Sequence, residues 1–458
     1  DALGAVTTGI DNTAVGKDAG LLITTATGNT AVGARAGDAI STGSNNTAMG
    51  MDALGGNPTG ASNTAFGKDA ALANTTGAGV TAIGTQALDA NTTGTDNTAV
   101  GLDALGANTT GIDNTAVGKD ALILNTVGTG LTAVGARALD ANTTGTNNTA
   151  VGMDALGANT TARYGTAVGS GALLLNTTGE ENTALGFQAL DANTTGGTNT
   201  AVGSSALGAN TTGANNTAVG AGALVTATVG AANTAVGRLS MDVLTTANDC
   251  TAVGADSLGG VTTGVDNTAV GSGAGSSITT GDGYTLLGRN AQTGSATGID
   301  RIILSAGAGN VTTDAANTAI SIGNDARTIR CDYGADQTWD APSDERMKNV
   351  LGDSKLGLDF ISRLRPVDFR FRSPSEWPVE WGIKAGATID TDKVILGMVA
   401  QDVKAALDAA GGPTFGGWTE VSTGQQQLGE SAFVYPLINA VKELKARLDR
   451  MEGMEARA

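Results

Sequence analysis

The sequence predicts a mainly β protein: a trimeric parallel β-roll or solenoid of 17-residue repeats, then a β-rich neck, then an α+β domain ending in a short coiled coil. Three observations lead to this prediction. A five-residue pattern returns with a constant 17-residue spacing through the first two thirds of the chain. Gly supplies 69 of the 458 residues and aromatic residues only 3%, which is poor material for one large globular core. Charged and aromatic residues become frequent only after residue 342.

The repeat begins at Asn12-Thr13-Ala14-Val15-Gly16 and keeps its spacing, without insertion or deletion, through 17 copies to Gly288. Counted from this Asn, column two is always Thr, column three is Ala except at Leu286, column four is apolar and column five is Gly. Columns eight and nine are usually Ala-Leu, and the cycle closes with Asn-Thr-Thr-Gly. Thr-Ala-Val is typical of a short strand, Gly of a bend at positive φ and Asn-Thr-Thr-Gly of a second turn. Each cycle is therefore interpreted as one rung of a parallel β-solenoid.

Strand alternation predicts which side chains face inward. We expect the Thr and Val of each strand to face the interior together with the column-nine Leu, and the column-three Ala to face outward. Small outward side chains would let another chain approach closely. So thin a coil is marginal by itself, so we expect three chains packed around an axis in a shaft of roughly 80 Å, at ~4.8 Å per rung.

Other features of the repeat allow alternative interpretations. The strict apolar column argues against disorder, and the lack of a 3.6-residue period argues against helices. Asp or Asn recurs just before the pentad, and such a column either caps turns, which we favour, or binds Ca²⁺; examples are Asp11, Asn45, Asp96, Asp113, Asn147 and Asp266. Ice binding by the Thr column is disfavoured because column three is Ala. Cys250 replaces the pentad Asn and is expected to be a buried or half-buried free thiol.

Composition and charge exclude several functions. The chain has no His and two Cys, Cys250 and Cys331, which excludes imidazole metal sites, a Ser-His-Asp triad and a disulfide framework. The net charge is −18, and residues 1–342 hold 11 basic and 27 acidic residues. Such an acidic shaft disfavours nucleic acid and anionic membranes as partners. No apolar run approaches the ~20 residues of a membrane-spanning helix, and we expect no cofactor and no metal.

Residues 1–288 resemble the head repeats of YadA-type trimeric autotransporter adhesins, which form a left-handed parallel β-roll. The shared signature is the Asn-Thr-Ala-Val-Gly pentad followed by Ala-Leu. The period differs, because the turns of those heads are usually shorter. The resemblance implies a trimeric coil.

A neck and a separate domain follow the repeat. After Gly288 we expect the 17-residue register to dissolve, and we interpret 289–342 as a β-rich neck of irregular strands at 301–304, 318–322 and 328–333. Residues 343–458 hold 15 basic and 17 acidic residues and are interpreted as an α+β domain, with a strand over Val367–Arg372 and a helix over Val403–Ala410.

The chain ends in a helix with a heptad pattern over 437–451. Apolar residues spaced 4-3-4-3 predict a short trimeric coiled coil: Leu437, Val441, Leu444, Leu448 and Met451. Glu443 and Arg447 offer an i,i+4 ion pair. The alternative is one amphipathic helix that packs on its own domain.

Ser343 and Lys348 stand at the start of this domain, in Ser343-Asp344-Glu345-Arg346-Met347-Lys348. A Lys with a lowered pKa serves as general base to a Ser nucleophile without any His. By itself the pair is better interpreted as a Ser N-cap with surface charges. A regular helix would also place i and i+5 far apart, so a dyad needs a turn or two subunits.

The domain resembles the intramolecular chaperone of phage tail fibres and tailspikes, the peptidase S74 family. Five blocks occur in order: Ser343 to Lys348, Leu364 to Arg370, Gly397 to Val403, Tyr435 to Ile438 and Lys442 to Leu444. The resemblance implies a module that trimerises, templates folding of the upstream fibre and releases itself by cleavage, with Ser343 as nucleophile and Lys348 as its partner. The junction comprises Pro342, Ser343 and Asp344. The family is cut beside this Ser, and attack on the Pro342 carbonyl or on a neighbouring subunit is less strained than attack on its own carbonyl.

We therefore predict a structural homotrimer, a phage tail fibre for host attachment, with single-turnover self-cleavage and no turnover of another substrate. The implied location is the virion, facing outward after assembly in the host cytoplasm. The partners would be a host-surface receptor, glycan or protein, and other tail proteins through a missing N-terminal part, because the chain starts at Asp1 without Met. The alternatives are a bacterial surface adhesin, for which a C-terminal membrane β-barrel is expected, and a polysaccharide-depolymerising tailspike, for which paired carboxylates are expected.

Overall fold

A computed structural model divides the chain into two compact units, Asp1–Pro342 and Ser343–Ala458. The prediction of a parallel β-solenoid followed by a small α+β region with a terminal helix is confirmed. The residues that the structure describes are 1–293, 296–305, 309–311, 319–324, 327–332, 339–340, 353–376, 378, 390–411, 415, 417–420 and 424–455.

Each pentad of the repeat forms a three-residue strand, and the 17 strands stack in one parallel sheet. Pairing follows the sequence repeat, so that Thr98 lies opposite Thr115 and Ala99 opposite Ala116. One repeat of the sequence is therefore one turn of the coil. Strands β1 to β17 are Thr13–Val15, Thr30–Val32, Thr47–Met49, Thr64–Phe66, Thr81–Ile83, Thr98–Val100, Thr115–Val117, Thr132–Val134, Thr149–Val151, Thr166–Val168, Thr183–Leu185, Thr200–Val202, Thr217–Val219, Thr234–Val236, Thr251–Val253, Thr268–Val270 and Thr285–Leu287.

The parallel register continues beyond Gly288, so the expectation that it dissolves there is wrong. Ile302 lies opposite Thr285, which is one more step of the same length, and Ala319 lies opposite Arg301 after a step that is one residue longer. Among the described strands of this unit, the antiparallel pairings are those of β21 with β22 and of β22 with β23. Strands β18 to β23 are Ala291–Thr293, Arg301–Ser305, Gly309–Val311, Ala319–Asn324, Arg327–Asp332 and Trp339–Asp340.

The inward and outward faces of the strands are the reverse of those expected. From Ala31 to Ala269 the column-three Ala is fully buried, whereas the column-two Thr and the column-four residue are half-buried or exposed. These Ala side chains belong to one core cluster with the Ala-Leu pairs of columns eight and nine. The coil is narrow, and a small side chain on the strand leaves space for the Leu from the opposite wall. The Ala column therefore lets each coil close on itself, and does not serve the approach of a second chain.

Two columns of buried Asn side chains hydrogen-bond from rung to rung inside the coil. In column one, the Asn114 backbone N–H donates to Asn97 Oδ1 at 3.0 Å and its Nδ2 to the Gly128 carbonyl at 2.9 Å. In column twelve, Asn125 Nδ2 donates to Asn108 Oδ1 at 2.9 Å. Such ladders supply partners for buried polar groups that would otherwise be costly to bury.

The column-twelve ladder stops where its next Asn is missing. It comprises ten consecutive rungs, from Asn57 to Asn210. The following rung has Ala227 at this position, and Asn210 Oδ1 is buried without a hydrogen-bond donor in the described part of the chain. A buried acceptor without a donor costs about 1–3 kcal/mol, so this end of the ladder is a local weakness of the shaft.

Each rung contains residues in strained backbone conformations that would be unfavourable in an isolated rung. The Gly of column five has φ near +140°, and a Cβ at Gly101 would collide with the Gly118 carbonyl of the next rung. Leu105 in column nine has φ +53°, which costs roughly 1–2 kcal/mol for a residue with a Cβ. Its N–H donates to the Ala121 carbonyl of the next rung at 2.9 Å. Because neighbouring rungs offset the strain, the first rungs to form are the least stable.

The residues before the pentad adopt the same left-handed conformation. Asp96 and Asp113 have φ of +57° and +58°, a region that Asp and Asn tolerate better than most residues. The turn interpretation of this column is supported. Among the described residues, no group of three or more His, Cys, Asp or Glu side chains is arranged to hold a metal ion.

A second period, three rungs long, is superimposed on the shaft. Column ten repeats an aliphatic residue, an Asp and a Gly in that order, from Leu21-Asp38-Gly55 to Val225-Asp242-Gly259. A Cβ at Gly157 would lie 3.4 Å from Asp140 Oδ1 and 3.3 Å from Leu174 Cδ1. The side chains of Asp140 and Leu174, in the rungs before and after, therefore occupy the space next to the Gly. Partial burial raises the pKa of Asp140. The spacing keeps these carboxylates about 14 Å apart instead of ~4.8 Å, and it makes successive rungs distinguishable.

The outer face of the strands forms a charge-free stripe along the shaft, which we call the strand-face stripe (columns two and four of all 17 rungs). No charged residue occurs in either column. Val15, Phe66 and Val151 expose 59%, 52% and 36% of their surface. The charges of the shaft therefore lie on its other faces, and the stripe is a long apolar surface of the kind that marks interaction sites.

The C-terminal unit is small and mixed. Helix α1 (Leu358–Arg363), helix α2 (Ala400–Ala409) and the start of helix α3 (Val434–Glu455) accompany two antiparallel pairs of strands. The core of the unit is formed by Leu356, Phe360, Val403, Ala406 and Leu407. The paired strands are β24 to β27, namely Val367–Phe369, Ile395–Gly397, Trp418–Glu420 and Gln426–Leu428.

Extending the Asn ladder is expected to stabilise the shaft. Ala227→Asn would give Asn210 Oδ1 a donor, and we expect a gain of about 1 kcal/mol, the usual value of one satisfied hydrogen bond. Asn193→Ala removes hydrogen bonds to Asn176, Gly196 and Asn210, so it should lower the thermal midpoint. Thermal unfolding followed by circular dichroism measures both. A midpoint that falls with Ala227→Asn would contradict the account of the ladder end.

Candidate functional site

The candidate cleavage residues lie outside the described part of the chain. Pro342, Ser343, Asp344 and Lys348 are all among the residues that the structure leaves out. The Ser-Lys dyad therefore stays a prediction. The described residues nevertheless place the other sequence blocks, together with the chain immediately downstream from 353.

Two of these blocks meet in a two-stranded antiparallel sheet. Val367 of β24 lies opposite Gly397 of β25. The Phe369 ring covers Gly397 so closely that a Cβ there would lie 2.9 Å from Phe369 Cε1. Gly at this position is thus explained by the close approach of an aromatic ring.

The same two blocks are joined by an ion pair. Arg365 Nη2 lies 2.8 Å from Asp402 Oδ2. Asp402 stands in the first turn of α2, where a carboxylate also interacts favourably with the helix dipole. The Arg365 side chain is 69% and that of Asp402 41% exposed, so the pair contributes little to stability.

The core beneath them contains three aromatic rings. Phe360 of α1 is fully buried. Its ring centroid lies 5.4 Å from that of Phe415 in an edge-to-face arrangement and 6.4 Å from that of Phe433. Phe433 immediately precedes α3. Aromatic packing therefore connects α1 to the beginning of the terminal helix.

Helix α3 also forms hydrogen bonds with the backbone of the segment that leads into α1, residues 354–358. Glu443 Oε2 accepts the Leu358 backbone N–H at 3.2 Å, and Asn439 Nδ2 donates to the Leu356 carbonyl at 3.1 Å and the Ser354 carbonyl at 3.3 Å. The expected i,i+4 pair of Glu443 with Arg447 is wrong, because this carboxylate is engaged at the start of α1. An i,i+4 ion pair of α3 joins Lys445 and Asp449 at 3.2 Å.

The heptad residues of α3 do not pack on their own unit. The five residues expose between 50% and 58% of their surface: Leu437, Val441, Leu444, Leu448 and Met451. Contact with the unit is made instead by Ala440, which is 2% exposed, together with Asn439 and Glu443. The alternative in which the heptad residues bind their own domain is therefore not what the structure shows, and the apolar seam stays open.

The remaining candidate groups are inert or structural. Cys250 is fully buried, as expected, and burial raises its pKa to about 11, so the reactive thiolate does not form at neutral pH. The side chain of Cys331 lies outside the described residues. Within the described ranges, no helix has the length and apolar character needed to cross a membrane.

Sequence reasoning missed the contacts of Asn439 and Glu443. Gly357 precedes α1 and provides no side-chain cap. Gly is itself a common residue at the start of a helix, so the sequence around Gly357 gives no signal of a distant cap. Only the fold identifies Glu443 as the carboxylate that accepts the first N–H of α1.

Comparison with known proteins assigns the beginning of the C-terminal unit. Residues 343–412 match the peptidase S74 family, described as the chaperone of endosialidase. The match begins at Ser343 and includes the blocks at 364–370 and 397–403, whereas α3 lies beyond it. Comparison with curated proteins and with solved structures yields no match.

Proposed function

We propose that this chain, whose residues 343–412 match the chaperone of endosialidase, is a trimeric phage tail-fibre protein for host attachment. The shaft forms the fibre. The C-terminal unit brings three chains together, sets their register and then releases itself by cleavage at the Ser343 junction. One observation carries the proposal: the family match begins directly after a long parallel β-coil, and the helix that ends the chain leaves its heptad seam exposed.

The shaft has a physical need for such a chaperone. Each rung holds strained positions, such as Leu105 at φ +53°, whose cost is offset by hydrogen bonds to neighbouring rungs and by packing in the shared core. Parallel strands also pair through non-local contacts, which form slowly. A preassembled C-terminal trimer holds three chains at high effective concentration and starts the first rungs together.

Two apolar surfaces supply the interfaces. The first is the heptad seam of α3, which is typical of coiled-coil association. The second is the strand-face stripe. We propose it as the contact surface between shafts in place of the Ala column, for which the sequence predicted that role. Twelve of the stripe's 17 column-four side chains expose 36% or more of their surface, so the stripe offers apolar area along the whole length of the shaft. Because the stripe is free of charge, three acidic shafts associate there without placing like charges face to face.

The resemblance supplies the chemistry of release. Neutral Lys348 takes the proton of the Ser343 hydroxyl, and Oγ attacks the scissile carbonyl at the junction. The amide C–N bond breaks, Lys348 returns the proton to the leaving amine, and water hydrolyses the ester. Once the chaperone has been cut off, an unfolded shaft can no longer refold. The folded fibre then persists because it unfolds slowly, which is kinetic stability.

Self-cleavage is tested on the full chain. Wild type should yield a C-terminal fragment that begins near Ser343, whereas Ser343→Ala and Lys348→Ala should stay intact because each lacks one half of the dyad. Denaturing gels and mass spectrometry of the fragment report the cut and identify the bond. Folded wild type that remains one intact band would refute self-release, and normal cutting of Lys348→Ala would refute the dyad.

The trimer seam is tested by charge insertion on α3 in a Ser343→Ala background. Leu444→Asp would bury three carboxylates at one level of the coil and should abolish the trimer. Ala446→Asp adds the same charge on the face opposite the seam and should leave it intact. Light scattering after size exclusion measures the mass. Trimers of unchanged mass with Leu444→Asp would show that the seam is not an interface.

A further inference from the structure

We infer that ion pairs between copies join neighbouring shafts at the two margins of the strand-face stripe, with Lys119 of one copy opposite Asp113 of the next. One margin is column six, which follows the Gly of the pentad. The other is column seventeen of the preceding rung, which stands just before the pentad. The inference rests on the proposed trimer and specifies which side chains meet along the edges of its shaft interface.

The margins lie on the same outer face as the stripe. Side chains two positions apart on a strand point to one face. Asp113 stands two positions before Thr115 of the stripe, and Lys119 stands two positions after Val117 of the stripe. The intervening Ala116 is fully buried, whereas Asp113 and Lys119 are both exposed. Each rung therefore presents an outward row, with the stripe in the middle and one margin residue at either end.

Some of these rows carry opposite charges at their two ends. The rows that end in Lys17 and Lys119 begin with Asp11 and Asp113, and the row that ends in Lys68 begins with Ser62. In the first nine rungs, column six repeats a Lys, a small residue and a large apolar residue in that order: Lys17, Ala34, Met51, Lys68, Thr85, Leu102, Lys119, Ala136 and Met153. A row that is acidic at one margin and basic at the other complements a second copy of itself placed edge to edge.

Closed rotational symmetry determines which residues face each other in a trimer. Three identical chains around one axis are related by rotation without a shift along that axis. The column-six margin of one chain therefore meets the column-seventeen margin of the next chain in the same row, which places Lys119 opposite Asp113 at all three contacts. A displacement of one rung would place Lys119 opposite Gly130 in one direction and opposite Asp96 in the other. Asp96 is thus the carboxylate against which the pairing is tested.

Lys119 is accessible for such a pair. Its Nζ lies 3.4 Å from Asp120 Oδ2 of its own chain, and its side chain is 64% exposed. An exposed ion pair of this kind contributes little, so little is lost when the ammonium turns to a carboxylate of another copy. Lys17 lies 4.0 Å from Asp18 and is 85% exposed, which is the same situation. An apolar centre with a polar rim is also the usual anatomy of a protein interface.

Charge exchange at the margins tests the pairing in the full chain, in a Ser343→Ala background that keeps the C-terminal unit attached. Lys119→Glu should place carboxylates face to face at three contacts and lower the thermal midpoint of the trimer by several degrees. Asp113→Lys should lower it in the same way through facing cations, and the double variant should recover most of the loss. Asp96→Lys combined with Lys119→Glu makes the same change of net charge one rung away and should recover much less. Circular dichroism measures the midpoint and light scattering the mass.

The outcomes separate this inference from the proposed function. Within one chain, six nearly extended positions hold Asp113 and Lys119 roughly 15–20 Å apart, beyond the ~8 Å over which exposed charges interact in physiological salt. Recovery by the double variant therefore reports a contact between copies. A trimer whose midpoint ignores the single changes, or falls by their sum in the double variant, overturns the margin contact and leaves the proposed function standing. Stronger recovery with Asp96→Lys overturns the pairing within one row. A parent chain of monomeric mass refutes the proposed trimer, and the margin contact falls with it.

Discussion

The shaft depends on rungs that satisfy their backbone hydrogen bonds through neighbouring rungs. The constant length of the repeat brings many backbone N–H groups to a carbonyl of the adjacent turn, and the Gly of column five allows that approach. Hydrogen bonds to the adjacent turn also stabilise the Leu residues of column nine in their left-handed backbone conformation. Consequently the coil is stable as an array and unfavourable as a single turn, which is the general behaviour of solenoids.

This constraint determines what lies on each face. The interior is so narrow that the strand contributes Ala, while Asn ladders provide the polar contacts between rungs. The larger apolar side chains are thereby displaced to the outside and form a charge-free stripe. A surface of this kind on an acidic rod needs a partner, and a partner of the same length and the same rung spacing is another copy of the shaft. We propose that the narrowness of the coil is the reason the shaft needs a trimerising chaperone.

The repeat made the solenoid predictable, but not the direction of its side chains. Every copy of Thr-Ala-Val indicates a strand, and the constant spacing indicates parallel stacking, both of which the fold confirms. Hydrophobicity suggested that Val faces inward, whereas steric space inside the coil favours Ala. A strand at 301–304 was predicted and is found at Arg301–Ser305. Its place as a further rung was missed because Ile303 replaces Ala and Ser305 replaces Gly, so the sequence pattern ends while the stacking continues. The grip of Glu443 on Leu358 joins residues 85 positions apart, a distance at which sequence patterns carry no signal. Ser343 and Lys348 rest on the family match alone.

We propose that the shaft assembles only together with its C-terminal unit and afterwards persists without it. Refolding after complete denaturation tests this most directly, by comparing the cleaved shaft with uncleaved Ser343→Ala at equal concentration and measuring mass by light scattering. The account predicts that the uncleaved chain regains trimer mass, while the cleaved shaft, trimeric before denaturation, does not. Recovery of trimeric shaft in equal yield without the C-terminal unit would contradict it.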